Sequence, residues 1–167
     1  GLPSKEGGYN RTAARTPMQW DDGLNAGFSA APAAQLYLPV EPDSERPNVA
    51  RQAAESGSLL GRVRRLIALR RSEPALQAGG GFAPVHAEAG KCPFVYRRWR
   101  GGDELLVAIN PGTAPLEMDF GGERNGEPET LFGPDQAFAR AGDCWRLHLP
   151  GVTGGVYRFT SGGSLCD

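Results

Sequence analysis

The residues best equipped for chemistry open the chain. Arg15-Thr16-Pro17-Met18-Gln19-Trp20-Asp21 is followed closely by Asn25-Ala26-Gly27-Phe28-Ser29. One short stretch thus carries a guanidinium, a primary amide, an indole and carboxylates, all groups that grip polar ligands. Arg15 offers five donors in one plane, a geometry that suits hydroxyl-rich ligands and neighbouring carboxylates. Gln19 can donate to a ligand or anchor loop backbone. Trp20 can stack on a ring or fill a core beneath the loop. Asp21 and Asp22 are adjacent, so they read as turn-forming or capping groups. Local physics makes this string neither helix nor central strand: Pro17 blocks both, and Gly23 and Gly27 interrupt what remains. Such a segment is a functional loop that some scaffold must hold.

Composition bounds the scaffold. The chain has 167 residues, a net charge of −1, 24 glycines and 14 prolines. Gly and Pro together are well above the usual share, which favours short strands and long loops. The near-neutral charge suggests neither a nucleic-acid partner nor an acidic membrane surface. No apolar run reaches membrane-spanning length, and no signal-peptide pattern opens the chain. The start at Gly1 reads as an internal cut in a longer polypeptide, and a cytoplasmic location is expected. Cys92, Cys144 and Cys166 make an odd count without CxxC spacing. A zinc site is not expected; a Cys92–Cys144 bridge is one reading, and unpaired thiols are the favoured one.

Residues 1–57 lack steady periodicity, apart from a short helix expected from Asn48 to Ala54 with Asn48 as cap. A clear helix follows over 58–72. Ser58 caps it, and Leu59, Leu60, Val63, Leu66 and Ile67 fall on one stripe. Arg70 projects on the apolar side and is expected partly buried against a carboxylate or carbonyl. Pro74 ends the helix. This stripe needs an apolar surface that the preceding loop cannot supply.

From about residue 79 the period changes to two. Strands are predicted at Phe82–Glu88, Pro93–Trp99, Glu104–Asn110, Pro115–Phe120, Glu129–Phe132, Cys144–Leu149 and Gly155–Thr160. Arg100-Gly101-Gly102-Asp103 and Asn110-Pro111-Gly112-Thr113 read as turns. The fold class expected is mainly β: an antiparallel β-sandwich with Greek-key connections, preceded by a long loop and one helix.

The loop now carries a resemblance. Its two motifs, together with Gly7-Gly8-Tyr9-Asn10-Arg11-Thr12, Leu36-Tyr37-Leu38-Pro39-Val40, Asn48-Val49, Gln52, Ser58-Leu59-Leu60 and Leu66-Ile67-Ala68-Leu69-Arg70-Arg71, resemble the α-amylase superfamily, glycoside hydrolase family 13. The nearest branch is that of α-glucosidases, oligo-1,6-glucosidases and trehalose synthases. The resemblance covers roughly the first 75 residues; the sandwich matches only by position and strand count. It implies that 1–78 is the C-terminal remnant of a catalytic (β/α)8 barrel, with an active-site loop at 1–57 and the last barrel helix at 58–72. Residues 79–167 would be the all-β domain C.

The resemblance also implies a retaining glycosidase acting on α-glucans or short oligosaccharides, or a transglycosylase or isomerase using the same carboxylates. Two facing carboxyl groups do that chemistry. In the family they stand on earlier barrel strands, so no catalytic residue is expected in this chain, which alone should be inactive. Arg15, Gln19, Trp20, Asn10 and Arg11 are the substrate-binding candidates, Asn10 and Arg11 at outer subsites. No cofactor and no metal ligand is expected here; a structural calcium in the absent part of the parent stays open. The stripe Leu59, Val63, Leu66 offers a route to self-association. The alternative is a carbohydrate-binding or structural β-sandwich module, with Trp99 and Trp145 as the exposed aromatics. His86 and His148 read as structural or surface residues.

Overall fold

The computed structural model describes residues 15–120 and 127–159. Tertiary contacts divide the chain into two compact units, one up to Arg65 and one from Leu66 onward.

In the first unit the loop contains 3-10 turns at Leu24–Gly27 and Ala33–Gln35, then helix α1 (Val49–Ala54); helix α2 (Leu59–Ser72) begins in this unit and ends in the second. Both helix starts are chemically explicit. Asn48 Oδ1 accepts from the Arg51 amide at 2.9 Å, as a cap should. Ser58 Oγ accepts from the Gly61 amide at 3.1 Å and donates to the Gln52 carbonyl at 2.6 Å. Gln52 Oε1 takes the Leu60 amide at 2.9 Å, so a second unpaired donor of the α2 N-terminus is satisfied from the preceding helix.

Most of the apolar stripe of α2 is uncovered: Leu59 is 71% exposed, Val63, Leu66 and Ile67 are exposed as well, and Leu60 is half-buried. Arg70 corrects an expectation. It stays on the surface, because the last turn of α2 packs onto the β unit through Leu69, a helical step of about 100° away.

The second unit continues from α2 through a 3-10 turn at Pro74–Leu76 into eight strands. These are β1 (Gly81–His86), β2 (Phe94–Arg100), β3 (Asp103–Asn110), β4 (Leu116–Phe120), β5 (Glu129–Phe132), β6 (Phe138–Ala141), β7 (Cys144–Leu149) and β8 (Thr153–Arg158). They form a five-stranded sheet in the order β1-β2-β3-β8-β5 and a three-stranded sheet β4-β7-β6. All the pairings described are antiparallel. The predicted turn at Gly101-Gly102 closes the β2–β3 hairpin, with Gly101 at φ +63° and Arg100 opposite Asp103.

The sheets share one core. Val95, Leu106, Ala108 and Tyr157 from the larger sheet meet Phe120, Phe138, Trp145, Leu147 and Leu149 from the smaller. The other face of the larger sheet carries Leu105, Val107 and Val156, against which Leu69, Ala75 and Leu76 pack. β3 is therefore buried on both faces, which explains its unbroken Leu105–Ala108 run.

Strand β6 is a further correction. Phe138-Ala139-Arg140-Ala141 opens on its one large apolar side chain and shows no period-two alternation of strand formers, so the local pattern predicts no strand there. It forms because Gly142, at φ +64°, turns it back onto β7. Trp145 is also corrected: alternation along β7 puts it in the core at 6% exposure, not on the surface. Cys92 and Cys144 are free thiols, the favoured reading; Cys166 lies outside the described residues.

Candidate functional site

The chemistry-bearing loop is wound onto itself and onto α1. Gln19 accepts the Val49 amide at 3.0 Å, and Trp20 accepts the Ala50 amide at 2.9 Å. The motif backbone thus lies against the first residues of α1. Trp20 and Asp21 both donate to the Ala26 carbonyl, at 2.8 and 3.3 Å. That closure needs a left-handed turn: Asn25, Ala26 and Gly27 have φ of 50°, 57° and 69°. Left-handed backbone costs about 1–2 kcal/mol per non-glycine residue. The Asn25 side-chain amide offsets this by donating to the Ser29 and Ala31 carbonyls at 2.8 and 2.7 Å. Ala26 is buried beneath the turn.

The two aspartates are spent on the loop itself. Asp21 Oδ1 accepts the Gly23 amide at 2.8 Å. A β-carbon on Gly27 would lie 2.6 Å from Asp21 Oδ2, so only glycine lets that carboxylate close over the turn. Asp22 takes Asn48 Nδ2 on one oxygen and Arg51 Nε on the other, each at 2.9 Å. The Asp22 hydrogen bond raises the Arg51 guanidinium above its usual range, and Glu45 adds a weaker pull from 3.7 Å.

Of the five binding candidates, three can be placed. Arg15 is exposed at the head of the described loop, and Trp20 is 49% exposed. Gln19 is half-buried, and its Oε1 is enclosed without a hydrogen-bond partner among the described residues. Gln19 lines a cavity of about 400 Å³ together with Pro17, Met18, Val49, Leu59 and Val63. Arg15 and Trp20 are not among its lining residues. Asn10 and Arg11 lie outside the described residues.

The sequence had suggested a cap at Asn48 and a structural role for Asp22, but not their union. The two are 26 residues apart, and no periodicity links residues at that separation. Among the described residues no three His, Cys, Asp or Glu side chains converge as a metal site would need.

Residues 3–79 match the alpha amylase catalytic domain. The chain is 35% identical over 151 residues to trehalose synthase/amylase TreS of Mycobacterium tuberculosis, covering 85% of this chain and 25% of that protein. It is 33% identical over 102 residues to oligo-1,6-glucosidase of Parageobacillus thermoglucosidasius, covering 60% of this chain and 17% of that one. The crystal structure of trehalulose synthase MutB from Pseudomonas mesoacidophila MX-45 superposes with a TM-score of 0.70 at 30% identity, over 90% of this chain and 26% of that one. The chain therefore spans about a quarter or less of the length of these relatives. The motif loop, the capped helix behind it and these matches together make this chain a member of the α-amylase family, glycoside hydrolase family 13.

Proposed function

We propose that this chain is the C-terminal portion of an enzyme that cleaves or transfers α-glucosidic bonds in α-glucans or short oligosaccharides by the retaining two-carboxylate mechanism. One observation carries the reading. The family match runs unbroken from the motif loop into the 3-10 turn after α2, and the relatives that share it bear names such as trehalose synthase and oligo-1,6-glucosidase. Residues 1–57 are then a rim loop of the active site, 58–72 the last barrel helix, and 79–167 domain C with Greek-key connections. The uncovered stripe Leu59, Val63, Leu66 supports the helix assignment, since a barrel would cover it.

The retaining mechanism needs two carboxyl groups about 5–5.5 Å apart across the scissile bond. Asp21 and Asp22 are adjacent and already engaged by Gly23, Asn48 and Arg51. The chain's part is therefore substrate binding. Arg15, with Asn10 and Arg11, donates to sugar hydroxyls and orients neighbouring carboxylates. The half-exposed Trp20 indole offers a stacking face, and Gln19 firms the loop behind it. The free thiols suit a cytoplasmic setting.

The alternative, a carbohydrate-binding module, retains only Trp99 of its two aromatics. That ring lies over Gly81 on one strand and near the Arg97 guanidinium, 5.3 Å from the ring centroid. The reading is tested with p-nitrophenyl α-glucoside. The purified chain should not turn it over, while the polypeptide extended upstream in the native reading frame should act on an α-glucoside. In that longer protein Arg15→Ala should lower kcat/KM by about tenfold or more, roughly 1.4 kcal/mol. Turnover by the chain alone would overturn it.

A further inference from the structure

Arg97 and Trp99 lie on the core side of β2 but outside the core. Alternation puts them on the same face as Val95, which joins the cluster between the sheets. Neither belongs to that cluster, and Trp99 is 38% exposed. Register sets Gly81 of β1 and Glu104 of β3 directly opposite Trp99, one on each side. Gly81, Trp99 and Glu104 therefore form a row across neighbouring strands, all on one face.

The indole lies flat on Gly81. A β-carbon at Gly81 would collide with the contiguous ring atoms Cδ2, Cε2 and Cζ2, so it would meet the ring on its face and not at its edge. Only glycine at 81 lets the ring lie down on β1 in this way. With one side against glycine backbone, the exposure of the ring is turned outward. An aromatic face held in place from below is a stacking surface that needs little further ordering to bind.

Two polar groups stand beside it. The Arg97 guanidinium carbon lies 5.3 Å from the ring centroid and brings donors to the rim of the surface. Across the β2–β3 ladder Glu104 is half-buried, and its Oε1 has no hydrogen-bond partner among the described residues. A carboxylate oxygen kept from water without a donor is costly. A ligand hydroxyl turned toward it removes that cost.

This set of groups selects a ligand class. A pyranose offers an apolar C–H face to an indole and hydroxyls that both donate and accept. It can stack on Trp99, donate to Glu104 and accept from Arg97 together. An oxyanion would be repelled by the Glu104 carboxylate. A wholly apolar partner would leave that carboxylate stranded.

We propose that Trp99, Glu104 and Arg97 form a saccharide-binding site on the β unit, which takes a glucosyl residue of an α-glucan by stacking it on the Trp99 indole. The choice of α-linked glucose rests on the functional reading above; the site itself is tested separately. The purified chain is run through native gels containing glycogen, with maltoheptaose as soluble competitor. It should be retarded, and about 10 mM maltoheptaose should release it, as a millimolar Kd requires. Trp99→Ala should abolish retardation, while Trp99→Tyr should keep about a third or more of it. Glu104→Gln should weaken binding about threefold or more while its melting temperature holds or rises, a split that a purely structural role would not give. The two conservative variants keep the test valid if Trp99→Ala fails to fold. No retardation of the folded chain overturns the site. So does retardation that survives Trp99→Ala but is lost in Trp20→Ala, which assigns binding to the motif loop. Retardation by hydroxyethyl cellulose and not by glycogen overturns the α-glucan assignment. Activity of the upstream-extended protein on p-nitrophenyl α-glucoside is measured alongside. An active extended protein that glycogen does not retard overturns the site and leaves the functional reading standing. An inactive one with retardation that depends on Trp99 supports the site and counts against the functional reading.

Discussion

Asp22 and Asn48, 26 residues apart, meet through a 2.9 Å hydrogen bond from the Asn48 amide to the Asp22 carboxylate. The same Asn48 side chain caps α1 with its oxygen, and the same carboxylate holds Arg51. One buried asparagine therefore links the motif loop to the helix beside it.

Asn48→Ala removes both contacts. The cap alone is worth about 1 kcal/mol and the bond to a charged acceptor about 1.5–3. Local opening should become easier by up to about 2.5–4 kcal/mol. Amide hydrogen exchange should accelerate at Val49, Ala50 and Arg51 while β3 and β8 stay protected. Unchanged exchange at Val49 and Ala50 would show that this side chain does not hold the loop. Asn48→Asp should keep the cap yet lose the bond, since two carboxylates would then face each other.

Arg98 makes the corresponding joint in the β unit, reaching three carbonyls of residues 75–80 with one guanidinium. Arg98→Ala should lower stability by about 1.5–3 kcal/mol, read by urea unfolding. Arg98→Lys should recover little, because an ammonium lacks the planar fork that spans several acceptors. Full recovery by lysine would mean that charge, and not shape, is what matters at this position.

Tyr157 is fully buried, and its hydroxyl has no partner among the described residues. Burial pushes it from the ordinary 10.0 up to about 12. A raised folded-state value means full stability below the unfolded one and loss as pH rises toward the folded one. Stability should therefore fall between about pH 10 and 12, by on the order of 1.4 kcal/mol per pH unit. Tyr157→Phe should be neutral or slightly stabilising near pH 7, because it removes an unpaired buried hydroxyl. It should also flatten this alkaline decline in thermal melts. A variant that melts as steeply with pH as the parent would place the titration elsewhere.

Asp21-Asp22 and the loop around them were legible as structure because adjacent carboxylates beside glycines close turns locally. Strand β6 was not legible, since its residues have weak strand preference and take that form only against β7. Trp145 and Arg70 escaped for a related reason. Which side of a strand or helix is covered depends on its neighbours, and neither the smaller sheet nor the packing of Leu69 is written in the local pattern.

By itself the sequence determined the loop motif, the two helix caps, most of the strands and the family, because each rests on residues close along the chain or on a shared string. Only the tertiary structure decided that Asp22 is spent on Asn48 and Arg51, that Trp145 lies inside, and that Phe82, Phe94 and Ile109 remain bare on one face. Those outcomes depend on contacts between distant residues, and the free energy of such contacts exists only once the chain has folded to bring them together.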